Sequence, residues 1–92
     1  MDRPLLISTI AEHAEKFHGS REIVSVTMDD PAHRCTIADA MARARRLANA
    51  LERLGLEHGD RVATIAWNDY RHLETYYGVS GSGRVCHTIN PR

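Results

Sequence analysis

The sequence predicts an α/β fold, and three observations predict it. First, residues 59–92 read as strand, helix, strand. Second, apolar residues recur at spacings of three and four from Ile37 to Leu54, the pattern of an amphipathic helix. Third, the elements follow one another as helix, β-hairpin, helix, strand, helix, strand, the alternation of an α/β architecture. Two parallel strands joined by a helix form a crossover unit. Such a unit is a piece of a covered parallel sheet.

In chain order, the first helix is expected over Thr9–Phe17. Thr9 and Glu12 have capping-box spacing, in which each side chain satisfies a backbone amide at the helix start. Ile10, Ala14 and Phe17 share one face, with Leu6 just before them, and Gly19 stands where a left-handed cap is wanted. Glu22–Met28 alternates well enough to be a strand, with Ile23 and Val24 its strongest residues, Asp29, Asp30 and Pro31 make a turn, and His33–Ile37 pairs back. These two strands form a small hairpin.

Thr36 and Asp39 repeat the capping-box spacing, with Asp in place of Glu. Behind them Ile37, Ala40, Met41, Ala44, Leu47, Ala48, Leu51 and Leu54 form the apolar stripe. The alanines predict close packing on a sheet. Gly55 closes this helix, and Gly59 and Asp60 turn the chain into a strand over Arg61–Trp67. Asn68 and Asp69 break the run, and either can cap the next helix. Tyr70, Leu73, Tyr76, Tyr77 and Ser80 lie at helical spacing. Gly78, Gly81 and Gly83 are read as its end. Val85–Ile89 is the last strand, stopped by Asn90 and Pro91.

Composition narrows the function. Lys plus Arg is 12 and Asp plus Glu is 12, so the formal net charge is zero. A general nucleic-acid or anionic-membrane binder would carry a basic excess. No apolar run approaches the ~20 residues that span a bilayer, and the first residues lack the apolar core and small-residue cleavage site of a signal peptide. Cys35 and Cys86 have no metal-ligand or disulfide-framework spacing, which fits reduced thiols in a cytoplasmic protein. At 92 residues the chain holds one small domain at most.

The ordered set of motifs carries more. The threonine-started helix is followed by Leu54, Gly55, Gly59, Asp60, Arg61 and Val62, then Trp67 and Asn68, Tyr76 and Tyr77, and Asn90 and Pro91. In this order and spacing the chain resembles the beginning of the adenylate-forming enzymes. These are the AMP-forming acyl-CoA synthetases, related to luciferases and peptide-synthetase adenylation domains. Residues 67–92 look most like the branch of medium- and long-chain fatty-acid–CoA ligases, which includes methylthiopropionate-type ligases. One departure is Arg84, where the family usually has a small residue; an arginine there is expected to reach solvent at a sheet edge.

The resemblance implies that residues 1–92 are the N-terminal portion of the large domain of an AMP-binding fold, an incomplete α/β unit ending before the catalytic motifs. It implies ATP, CoA and Mg²⁺ as the cofactors of the whole enzyme, a carboxylic (fatty) acid as substrate, and a homodimer, the state that members often adopt. No catalytic, cofactor-binding or metal residue can be carried over, because no position matches the family's phosphate loop, adenine motif or catalytic lysine. The isolated chain is expected to be inactive scaffold. A standalone interaction module and a non-functional remnant are the alternative readings.

Other candidates carry weaker chemistry. Gly78, Gly81 and Gly83 tempt a phosphate-loop reading, but they follow a helix and precede a strand, the reverse of what a nucleotide loop needs. His13, His18, His33, His58, His72 and His87 include no i, i+4 pair. Cys86 and His87 are strand neighbours and point to opposite faces, so they cannot form a dyad. Arg43, Arg45, Arg46 and Arg53 are expected as a solvated face partly paired by Glu52. Trp67, Tyr70, Tyr76 and Tyr77 are expected to fill a sheet–helix core. Asn68, past the end of a strand, is the best-placed polar residue for a ligand, since ligands of α/β sheets sit beyond those ends, but its expected job is to cap the helix.

Overall fold

The computed structural model describes residues 5–91. Its elements are α1 (Ile7–His18), β1 (Glu22–Ser25), β2 (His33–Thr36), α2 (Ile37–Arg53), β3 (Arg61–Ile65), α3 (Tyr70–Ser80) and β4 (Val85–Ile89). The predicted order holds. β1 and β2 form an antiparallel hairpin in which Ile23 faces Cys35 and Val24 faces Arg34. β3 and β4 pair in parallel across α3, with Arg61 opposite Val85 and Ile65 opposite Ile89.

α2 forms as its sequence dictates. The Asp39 amide donates to the Thr36 hydroxyl at 3.1 Å, and the Thr36 amide donates to the Asp39 carboxylate at 3.2 Å. Such a cap contributes about 1 kcal/mol. At the other end Gly55 adopts φ 88°. Its amide donates to the Glu52 carbonyl and the Leu56 amide to the Leu51 carbonyl. That pair of bonds satisfies carbonyls the helix leaves open, and the left-handed residue between them favours glycine.

α1 departs from expectation. It begins at Ile7, two residues before Thr9, and no side chain caps it. The early start lays Ile7, Ser8, Ala11 and Ala14 toward the rest of the chain and sets Glu15 against Arg45, which grips its carboxylate with two N–H groups. Ile10 and Phe17, expected to be the buried face, are 58% and 61% exposed. Gly19 is right-handed, not left-handed. The chain there does not reverse but runs on to meet α2, where the Ala38 amide donates to the Gly19 carbonyl.

The strands are shorter than predicted. β1 stops at Ser25, because Thr27 and Asp30 bond to each other and divert the chain into its turn. β2 stops at Thr36, which is taken as the α2 cap. β3 stops at Ile65.

The core lies between helices, not against the sheet. Ala40, Met41, Ala44 and Leu51 of α2 are buried with Val79 of α3. The α2 alanines therefore pack on α3, a correction to the expected sheet contact. Gly78 makes this possible. It lies inside α3 rather than ending it, and a Cβ there would stand 2.8 Å from the Ala44 carbonyl oxygen and 3.0 Å from Leu47 Cδ2.

α3 ends at Ser80, the last residue of its expected stripe. Gly83 is the left-handed residue, at φ 80°. The Arg84 amide donates to the Val79 carbonyl and the Gly83 amide to that of Ser80. Arg84 does not reach for solvent. It is half-buried, and its guanidinium donates to the Leu56 carbonyl at 2.7 Å and the Ser82 hydroxyl at 2.8 Å. One cation thus ties together the ends of α2 and α3, where the carbonyl-rich, partly negative termini of two helices meet.

The parallel pair is covered on one side. Val62, Thr64 and Cys86 turn toward α3 and are half-buried. Arg61, Ala63, Ile65, Val85, His87 and Ile89 occupy the opposite face and are exposed.

Gly78→Val would drive two methyl groups into the Ala44 carbonyl and Leu47. Overpacking of this kind costs about 1–3 kcal/mol, so the urea midpoint should fall clearly. Ser80→Val, on the same helix without that contact, should change it less.

Candidate functional site

The position that α/β sheets reserve for ligands is the carboxyl-terminal edge of the parallel strands. Here β3 and β4 end at a recess of about 560 Å³. Trp67, Asn68, His72, Thr88, Asn90 and Pro91 line it. The sequence places Asn68 there because β3 stops short of it. Asp69, not Asn68, caps α3, accepting the Arg71 amide at 2.9 Å and the His72 amide at 3.2 Å. The correction has a simple cause. Asp69 stands one residue before the helix, where its carboxylate meets both first-turn amides. Asn68 is left exposed at the rim. His72 lies within hydrogen-bond distance of the Thr64 hydroxyl, at 3.1 Å.

Among the described residues the recess offers amides, an imidazole, a hydroxyl and an indole wall, but no lysine, arginine or carboxylate. It suits neutral polar or flat groups. It does not suit polyphosphate. The amides at the start of α3 that would hold a phosphate already bond to the Asp69 carboxylate, and at the start of α2 the Asp39 amide is taken by the Thr36 hydroxyl. No group of His, Cys, Asp and Glu among the described residues has the arrangement of a metal site. The described residues therefore do not fit ATP, its Mg²⁺ or the phosphates of CoA.

The remaining sequence candidates fall into structural roles. Gly81 and Gly83 follow the end of α3, where carbonyls rather than amides point outward, and Gly78 lies within the helix. Cys86 faces α3 and His87 the opposite side, so they do not meet. His33 stacks on Tyr70 with ring centroids 3.7 Å apart, and His13 packs on Phe17. The aromatic residues do not fill a sheet–helix core as expected, since Trp67 and Tyr76 are exposed. Small side chains form the closest helix contact instead, and large rings have no room there. Of the α2 arginines, Arg43 pairs with Glu74 and Arg45 with Glu15, rather than with Glu52.

Glu74 escaped the sequence reading. It is 7% exposed on the inner face of α3, and both its oxygens lie near Arg43 Nε, at 2.9 and 3.0 Å. Its spacing of four from both Tyr70 and Gly78 was the available signal. Burial pushes the Cys35 thiol up from its ordinary value of 9.0, and the Glu74 and Asp39 carboxylates push it further. Burial also raises Cys86, and its hydrogen bond with Thr64 partly offsets this.

These comparisons decide the family. The sequence profile described as AMP-binding enzyme matches residues 10–92. The chain belongs to the AMP-binding enzyme family. Among curated relatives, the 3-methylmercaptopropionyl-CoA ligase of Ruegeria lacuscaerulensis and the medium-chain-fatty-acid–CoA ligase of Ectopseudomonas oleovorans are each 53% identical over the whole chain. The chain spans only 17% of either relative's length. A solved Rhodopseudomonas palustris structure, described as a long-chain-fatty-acid CoA ligase, superposes over the whole chain with a TM-score of 0.81 at 28% identity. The chain covers 22% of it. The fold is thus that of the adenylate-forming CoA ligases in part: helices and two small sheets of their first domain. No helix among the described residues is long and apolar enough to cross a membrane.

The thiols give a pH dependence with a definite sign. Both keep their protons longer when folded, so folding stability is full below the ordinary thiol value and falls as pH rises through it. Glu74→Gln removes a charge that holds Cys35 protonated. Peptide mass spectrometry after brief alkylation at pH 8 should show faster labelling of Cys35 and unchanged labelling of Cys86.

Proposed function

We infer that this chain is the opening scaffold of an ATP-dependent acid–CoA ligase acting on a fatty or related carboxylic acid. The observation that carries the reading is the identity of 53% along the whole chain with ligases of that kind. AMP-forming ligases as a class use ATP, CoA and Mg²⁺. The acid's carboxylate attacks the α-phosphate of ATP, giving an acyl-adenylate and pyrophosphate, and the CoA thiol then displaces AMP. Mg²⁺ offsets the phosphate charge while bound.

The chain's own residues serve this chemistry by position. Residues 1–92 are the N-terminal part of the AMP-binding domain in this reading, ahead of the groups that touch ATP. The α2–α3 layer holds β3 and β4 in parallel, and their carboxyl ends open at the Asn68 recess. The reading carries with it a cytoplasmic location and a homodimer. The relatives' names span methylmercaptopropionyl and medium-chain acyl groups, so the acid is taken as an aliphatic carboxylate of that range.

A chimera tests this. The matching first segment of the Ectopseudomonas oleovorans ligase is replaced by this chain, and AMP release is followed with acid, ATP and CoA. Activity within about tenfold of the parent, about 1.4 kcal/mol in barrier height, is expected. The isolated chain should release none. A soluble, folded chimera without activity, or AMP release by the isolated chain, would contradict the reading.

A further inference from the structure

The loop between β3 and α3 runs from Ala66 to Asp69 and carries Trp67 and Asn68 at the recess. His72 holds both ends of that loop. Its ring Nε2 lies 3.1 Å from the hydroxyl of Thr64, near the end of β3. Its backbone amide donates at 3.2 Å to the carboxylate of Asp69, the residue just before α3. Resting on the ligase reading above, we propose that His72 is a positioning residue of the ligase: its ring accepts a hydrogen bond from Thr64 and so fixes Trp67 and Asn68 where they frame a substrate.

The first argument is placement. Thr64 and His72 are half-buried beneath the loop, whereas Trp67 and Asn68 are exposed on it. Among the described residues no side-chain hydrogen bond holds Trp67 or Asn68, so the fixed ends of the loop set where they point. No other side-chain hydrogen bond among the described residues joins β3 to α3. The loop lies beyond the carboxyl ends of the parallel strands, where ligands of such sheets sit.

The second argument is where the protons go. The Cys86 thiol of β4 interacts with the same Thr64 hydroxyl, and burial favours its protonated form. Were the imidazole to donate from Nε2, the Thr64 proton would be left with the thiol sulfur, a weak acceptor. With Thr64 donating to Nε2, the thiol proton meets the Thr64 oxygen, and each proton has an acceptor. The ring proton then sits on Nδ1, because the bond made by one ring nitrogen sets the state of the other. A strand thiol, a strand hydroxyl and a helix imidazole thus form one directed chain that ends at the recess.

The chimera described above is the test enzyme. Thr64→Val keeps the shape of the side chain and removes its proton, while Thr64→Ser keeps the hydroxyl. In Thr64→Val the KM for at least one of acid, ATP and CoA should rise about fivefold, the scale of one hydrogen bond. Over the same change kcat should stay within about twofold. Thr64→Ser should restore the parent KM. His72→Phe should show the same rise, and the double variant no more than either single one, since the two residues act as a unit. Loss of folded enzyme would instead lower kcat and leave KM alone. Thr75→Val, which removes a hydroxyl bonded within α3 to the Arg71 carbonyl, should leave KM unchanged. Should one of the two single variants fail to fold, the other decides. Unmoved KM values in an active chimera, or effects that add in the double variant, overturn the positioning role and leave the ligase reading standing. A folded chimera without activity refutes that reading and the proposal with it.

Discussion

Gly78 lies against the Ala44 carbonyl oxygen with no room for a side chain between them. That approach sets the distance between α2 and α3, and most of the remaining structure follows from it. With the two helices close, Val79 becomes fully buried, and Leu51, Met41 and Ala40 close around the contact. Arg43 then reaches Glu74 across the interface, and Arg84 bridges the two helix ends. The helical layer is the stable part because its contacts are apolar and close.

The sheet is organised differently. α3 sits on one face of β3 and β4, and the order of the crossover makes them parallel neighbours. Nothing among the described residues covers the other face. A pair with Ile65 and Trp67 exposed is held by its backbone ladder and by half of its side-chain packing. The same arrangement explains the empty chemistry of the recess at its carboxyl edge. That edge frames a site without carrying charged groups among the described residues, and the nearby start of α3 is already capped by Asp69.

The legible parts of the fold were those with strong local signals. The Thr36–Asp39 box, the Gly55 terminus and the hairpin turn were readable, since each is set by residues within a few positions of one another, and the crossover was readable from the order of its elements. The α1 face was not readable. Ile10 and Phe17 outweigh Ala11 and Ser8 in any apolar pattern, yet the smaller residues face α2 and Glu15 finds Arg45. The location of the core was obscured for the same reason. Alanine and glycine give little hydrophobic periodicity, while the packing they permit decides which surfaces meet. Gly78 read as a helix stop because its local preference is for turns. Only the neighbouring helix shows why it stands mid-helix. At the candidate site, Asn68 was legible from its place after a strand, but its release from capping depended on Asp69. Glu74 was hidden because a carboxylate is ordinarily solvated, and Arg43 is its reason for being buried.

The account's central claim is that the α2–α3 contact is the stable unit and the parallel pair depends on cover from elsewhere. Amide hydrogen exchange on the isolated chain, read residue by residue, tests it most directly. The account predicts that Ala44, Leu47 and Val79 exchange slowest, and that amides of β3 and β4 exchange much faster despite their ladder bonds. Equal or greater protection in β3 and β4 would contradict it, because the strands would then be as stable as the helices without any covering layer.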